Sequence, residues 1–230
     1  MGGILNEMKT ATEPLRMLAI DTCGEGAGVA LSVDAVVTGV RELPSRTASA
    51  EIIATIRELL ANEGLTVSEL DGIGVVAGPG SFTGVRTGLA VAKGICEALQ
   101  LPLATVSRLE VLAHAASLDR GIAVLGAGRR DLYVLRLAEG GASEEMSTVE
   151  ALVDELKGEV RVIVAEAAVM ELLATLRPVL HPLSVADAVP LLNAALRVGS
   201  TDLGSADANY VRRESELYAK QGSGPACVRP

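Results

Sequence analysis

The chain has 230 residues, enough for one large core or two smaller lobes, and 49% of them are hydrophobic, so it folds rather than staying disordered. The apolar content is mostly Ala, Val and Leu, with one Phe and no Trp, which leaves no stacking platform for single-stranded nucleic acid. The formal charge of −9 repels phosphate backbones and argues against direct, unaided tRNA or DNA binding.

Residues 1–16 carry no long apolar run and read as a polar lead-in, not a signal peptide. A short apolar strand over 17–20 ends at Asp21. Strands over 29–33 and 36–43 follow through tight joins, the pattern of an antiparallel meander. The period then changes. Ile52, Ile53, Ile56, Leu59 and Leu60 recur at three- and four-residue spacing, which predicts an amphipathic helix over 49–62, ended by Gly64. Thr66 and Glu69 make a capping box for a single turn. A buried strand over 73–77 leads into the turn Gly78-Pro79-Gly80-Ser81-Phe82-Thr83-Gly84. A second helix runs over 83–99, with Val85, Leu89, Ala92, Cys96 and Leu99 on its apolar face. A strand over 103–106 precedes a helix capped by Ser107 and Glu110, in which His114 is expected to pack.

Past Gly121, 122–125 and 132–138 read as paired strands. Ser147 and Glu150 form a capping box for a helix ending at Gly158. A strand over 160–165, a helix over 166–176 and a break over 178–182 follow. Ser184 and Asp187 open the last helix, which carries Leu191, Leu192, Ala195 and Leu196. The tail is polar, with some structure expected only at 210–212. No sequence repeat relates the halves. These elements predict an α/β protein with a lobe over 17–110, a smaller lobe over 111–200 and a tail over 201–230.

The glycine turn is the sharpest candidate site. Gly78, Gly80 and Gly84 permit close backbone approach, Ser81 and Thr83 add hydroxyls, and the turn sits at a helix N-terminus, where free amides can hold an anion. No Walker Gly-Lys-Ser/Thr follows. A tight turn that only packs the helix fits the same residues. Asp21, at a strand end before a hairpin, either faces a nucleotide's phosphates and metal or caps its own turn. Cys23, Cys96 and Cys227 have no metal spacing, Cys23 has no histidine in a suitable context to activate it, and no residues are expected to ligate metal. Arg129 and Arg130 read as a solvated hairpin rim. The broad stripe of the first long helix and the small residues of the second make Ile53, Ile56, Arg57, Leu60, Arg86, Thr87 and Val91 candidates for a partner interface.

The opening Leu18-Ala-Ile-Asp-Thr-Cys23 with Gly28-Val-Ala-Leu31 resembles the first hairpin of the actin/hexokinase/heat-shock ATPase superfamily. The run from Leu70 to Leu89, with Ala92-Lys-Gly94 and Val106-Ser-Arg-Leu-Glu110, resembles the bacterial dimerization-subunit family of the tRNA threonylcarbamoyladenosine biosynthesis complex. That resemblance implies two ribonuclease-H-like (actin-like ATPase) lobes and a cytoplasmic, non-catalytic scaffold. It implies service to a paralogous catalytic threonylcarbamoyltransferase that modifies adenosine 37 of tRNAs reading codons that begin with A. A small P-loop ATPase subunit, self-association as a homodimer and tRNA contact only through the complex are the other implied partners, with no membrane. No cofactor is required by this chain on that reading, although ATP or ADP with Mg can lie at a subunit interface. Ala48 stands where the family commonly has His, and Gly126 and Gly128 replace members of an Asp-Ala-Arg turn. The competing class is a stand-alone ATPase or small kinase that uses Asp21.

Overall fold

The computed structural model describes residues 14–24, 26–44, 47–156, 160–209 and 211. Strands β1 (Arg16–Asp21), β2 (Gly26–Val33) and β3 (Val36–Pro44) form the expected antiparallel meander. Helix α1 (Ala48–Asn62) then crosses over, so that β4 (Gly72–Val76) pairs parallel to β1. Helix α2 (Phe82–Leu99) makes the second crossover, to β5 (Leu103–Val106), parallel to β4. The first sheet has the order β3-β2-β1-β4-β5.

The second half repeats this plan. Helix α3 (Arg108–Ala115) leads to β6 (Gly121–Gly126), β7 (Asp131–Ala138) and β8 (Gly141–Thr148), again antiparallel. Helix α4 (Val149–Glu155) leads to β9 (Val162–Val164), parallel to β6, and α5 (Ala167–Leu172) leads to β10 (Val179–Leu180), parallel to β9. The order β10-β9-β6-β7-β8 is the first sheet's order read from its other edge. The molecule is an α/β protein of two lobes, as its elements predict, and each lobe is ribonuclease-H-like, as the resemblance implies.

One helix straddles the division at residue 110 and another packs across it. α3 follows β5, yet Leu109, Leu112 and Ala113 bury themselves with Ala123, Leu125 and Leu135 of the second sheet. Helix α6 (Val185–Val198) closes the second half, yet Val185, Ala188, Val189, Leu192 and Leu196 join the core of the first sheet. Gly74 of β4 allows this packing, because a Cβ there would sit 2.9 Å from Leu192 Cδ1. α1 and α2 contact strands of the same sheet, and the core cluster joins both sets of helices to it. Beyond α6, Thr201 bridges back to Leu103, Ala206 is buried in the same core, and the Asn209 amide donates to Ala77 O at 2.7 Å.

Local signals locate most helix starts. The boxes at Thr66/Glu69, Ser107/Glu110 and Ser184/Asp187 are all formed. The one expected at Ser147 is not: α4 is capped by Thr148, whose hydroxyl accepts from Ala151 N at 3.2 Å. The helix predicted over 166–176 is α5 followed by a separate 3-10 turn over 174–176, a tightening that satisfies carbonyls at a helix end. The predicted helix end at Gly158, Tyr210, Arg212 and Cys227 lie outside the described residues.

Candidate functional site

Asp21 ends β1 at the mouth between the lobes, 9% exposed, and its Oδ1 accepts from Cys23 N at 2.8 Å. The glycine turn lies directly against this hairpin. Ser81 N donates to Cys23 O at 2.8 Å, and Thr22 Oγ1 donates to Gly84 O at 2.6 Å. A Cβ on Gly80 would collide with Cys23 O, and one on Gly84 with Thr22 O. Gly84 N donates to Ser81 Oγ at 3.3 Å, and Gly78 O accepts from Arg108 N at 2.7 Å. The Thr83 carbonyl accepts from Thr87 Oγ1 at 2.9 Å, one turn along α2. The structure therefore brings Asp21 and the residues Gly78, Gly80, Ser81, Thr83 and Gly84 into one neighbourhood. The glycines serve the approach of two backbone turns, and the amides of Ser81 and Gly84 are engaged within them.

Asp21 also borders a cavity of about 350 Å³ between the lobes, lined by Gly24, Gly28, Glu42, Arg108, Glu166 and Ser184 among others. Arg108, at the first position of α3, spans its floor. Nη1 meets Glu166 Oε1 at 3.1 Å, and a Cβ on Gly24 would lie 2.6 Å from Nη2. The other Glu166 oxygen accepts from Gly126 N at 3.3 Å, at the turn after β6. Neither residue is among the sequence's candidate site residues, although Arg108 lies in the Val106–Glu110 run that carries the resemblance. A signal was present: a cation in the first turn opposes the helix dipole unless an anion meets it. Among the groups lining this cleft, Arg108 is already held by a carboxylate, and Asp21 and Glu42 border the same space.

Burial and the neighbouring Asp21 push the Cys23 thiol well above its usual range, and the Arg108 charge only partly offsets them. Cys23 Sγ donates to Val76 O at 3.2 Å, so it is an inert core thiol. His114 is exposed on the last turn of α3, not packed as expected, because Leu109, Leu112 and Ala113 fill the buried face. Arg130 pairs with Glu150 at the exposed hairpin rim.

The second candidate surface is the outer face of α1 and α2. Ile53 is 43% and Phe82 58% exposed, and Arg86 stacks over the Phe82 ring at 4.0 Å. Arg57, Ala54, Ala90 and Gly94 are exposed beside them, and Thr87 and Val91 are half-buried. Two expected contacts are corrected. Ile56 and Leu60 are 3% exposed and belong to the core with Ile52 and Leu59, because the sheet takes that side of α1. They also line a groove with Ile53, Arg57, Leu65, Val67 and Ile95.

The sequence profile of the family described as "TsaD: tRNA N6-adenosine threonylcarbamoyltransferase" matches residues 39–176. The tRNA threonylcarbamoyladenosine biosynthesis protein TsaB of Haemophilus influenzae is 37% identical over 123 residues, 52% of each chain. Its namesake in Escherichia coli is 36% identical over 102 residues, 44% of each. The chain spans about half the length of the curated relatives it matches. YeaZ from Pseudomonas aeruginosa superposes with a TM-score of 0.68 at 26% identity, over 85% of this chain and 99% of that one. The ethanolamine utilization protein EutJ from Carboxydothermus hydrogenoformans, at 15% identity and a TM-score of 0.50 over 84% of this chain and 93% of its own, shares the fold.

Proposed function

Because the chain belongs to the tRNA N6-adenosine threonylcarbamoyltransferase (TsaD) family, as a TsaB/YeaZ-like member of the actin-like ATPase superfamily, we propose that it is an accessory subunit in forming N6-threonylcarbamoyladenosine on tRNA. It acts by holding a TsaD-like catalytic subunit rather than by performing transfer itself. The observation that carries this reading is the α1/α2 face. Along α1 and α2 an exposed Ile53 and Phe82 share the outer surface with the small exposed residues Ala54, Ala90 and Gly94, so a helix of a partner can approach closely and bury apolar area near the basic side chains Arg57 and Arg86. Association of two copies through the same face is the competing use of that surface. The small P-loop ATPase joins the assembled pair, tRNA is met through the catalytic subunit, and any ATP or ADP with Mg belongs to the joint between subunits.

The test is co-elution of the full chain with the catalytic subunit of its own cell. Ile53→Asp and Ala90→Glu alter exposed side chains, so folding stability should change by no more than ~0.5 kcal/mol each. The complex should be lost in both variants, and threonylcarbamoyl incorporation into tRNA with it. Unchanged co-elution of both variants would remove this face from the reading. A wild-type chain that never co-elutes would remove the reading itself.

A further inference from the structure

We propose that Glu166 is a built-in anion that occupies the phosphate-binding position of the interlobe cleft and holds the two lobes together without nucleotide. The inference rests on the cleft alone and stands whichever partner uses the α1/α2 face.

Two donors at the junction of the lobes suit an oxyanion: the Arg108 guanidinium, which lines the cleft, and the amide of Gly126 at the turn after β6. Glu166 takes both at once, Oε1 on Arg108 Nη1 at 3.1 Å and Oε2 on Gly126 N at 3.3 Å. A carboxylate with one oxygen on a guanidinium and the other on a backbone amide reproduces the pattern by which proteins bind oxyanions. The Arg108 side chain is 9% exposed and that of Glu166 20%, so the pair lies largely out of water. Arg108 Nε is buried with no partner, so the guanidinium retains a donor that Glu166 does not satisfy. It lines the cavity beside Asp21.

The same arginine joins the lobes. Its backbone amide donates to Gly78 O of the glycine turn at 2.7 Å, and Nη2 lies under Gly24 of the first hairpin, where no side chain fits. The carboxylate comes from the other side, at the start of α5 after β9 of the second sheet. The first lobe's hairpin, the arginine, the carboxylate and the second lobe's hairpin form one continuous chain of contacts. An incoming phosphate would have to displace Glu166 and sit near Asp21 and Glu42. The wild-type cleft is therefore closed to phosphates by charge, and removing one carboxylate should open it.

The experiment titrates pyrophosphate into the full-length chain by calorimetry. Wild type should give no binding heat. Glu166→Ala should bind at least tenfold more tightly than wild type, and the double variant Arg108→Met/Glu166→Ala should lose that binding. Should Glu166→Ala fail to fold, Glu166→Gln decides: it keeps the side-chain size, frees the arginine's charge and should bind at least threefold more tightly than wild type. Wild-type binding as tight as the variant's, or a folded Glu166 variant with no gain, would overturn the proposal.

Discussion

The two lobes share one strand order and differ in almost everything laid on it. The first sheet carries helices of 15 and 18 residues on its crossovers, the second helices of 7 and 6. After β1, Thr22 and Cys23 are buried against the glycine turn, whereas the chain after β6 runs into exposed Gly128, Arg129 and Arg130. A duplicated topology thus leaves each copy free to specialise. The first carries a long-helix outer face. The second supplies Glu166 to the space between them. Two helices tie the halves into one unit: α6, from the end of the second half, packs on the first sheet, and α3, between β5 and β6, puts Leu109, Leu112 and Ala113 on the second and Val111 on the first.

The sharpest way to break this comparison is to place the same substitution where each turn is packed, at Gly84 of α2 against the turn after β1 and at Gly126 where β6 enters its own turn. Gly84→Val drives a branched side chain into the fixed carbonyl of Thr22, and no soluble folded protein is expected. Gly126→Val meets only Val169 Cγ2, 3.2 Å from the new Cβ, and should fold with a loss of ~1–3 kcal/mol, read as the shift of a urea midpoint. Equal outcomes would mean that the two turns are packed alike.

The exchange of helices gives the next effect. Leu192→Ala and Leu109→Ala each empty a fully buried site and should each cost ~2–5 kcal/mol. The location should be crossed. Hydrogen exchange should quicken first in β1 and β4 for the α6 variant, and in β6 and β7 for the α3 variant. Quickening confined to the sequence-adjacent sheet would contradict the packing described.

Much of this was legible in the sequence, for stated reasons. Strand-sized apolar runs gave the first sheet, and three reciprocal caps fixed helix starts, because both are local devices. β8, with the sequence GASEEMST, was not legible: it is an edge strand whose side chains are mostly exposed, so no alternation of hydrophobicity marks it. β10 has two residues, too short for any period. Periodicity showed that α6 buries a face but not which sheet receives it. The same limit put Ile56 and Leu60 on the partner face, since a stripe as broad as Ile52 to Leu60 does not reveal where the sheet ends and solvent begins. Within the site, Asp21 and the glycine turn were found by residue type. Arg108 and Glu166 were missed because they meet across 58 residues of chain.

A smaller effect also belongs to the first lobe alone. The described free thiols, Cys23 and Cys96, both lie there, and burial pushes Cys96, which is 0% exposed, up to about 12. In the unfolded chain a thiol ionises near ~8.5. Below that pH both states keep the proton, and the group contributes no pH dependence. Above it the unfolded chain releases a proton that the folded chain retains, so stability falls as pH rises, until the folded thiol ionises as well. The slope is at most ~1.4 kcal/mol per pH unit for each thiol. Urea midpoints of wild type and Cys96→Ala should therefore converge between pH 9 and pH 11, with the variant less stable at neutral pH and less sensitive to alkali. Parallel pH profiles would mean that burial in α2 does not hold this thiol protonated. Convergence, together with earlier exchange in the first sheet, would make the first lobe the one that alkali opens, because its close packing is what excludes water from the thiols.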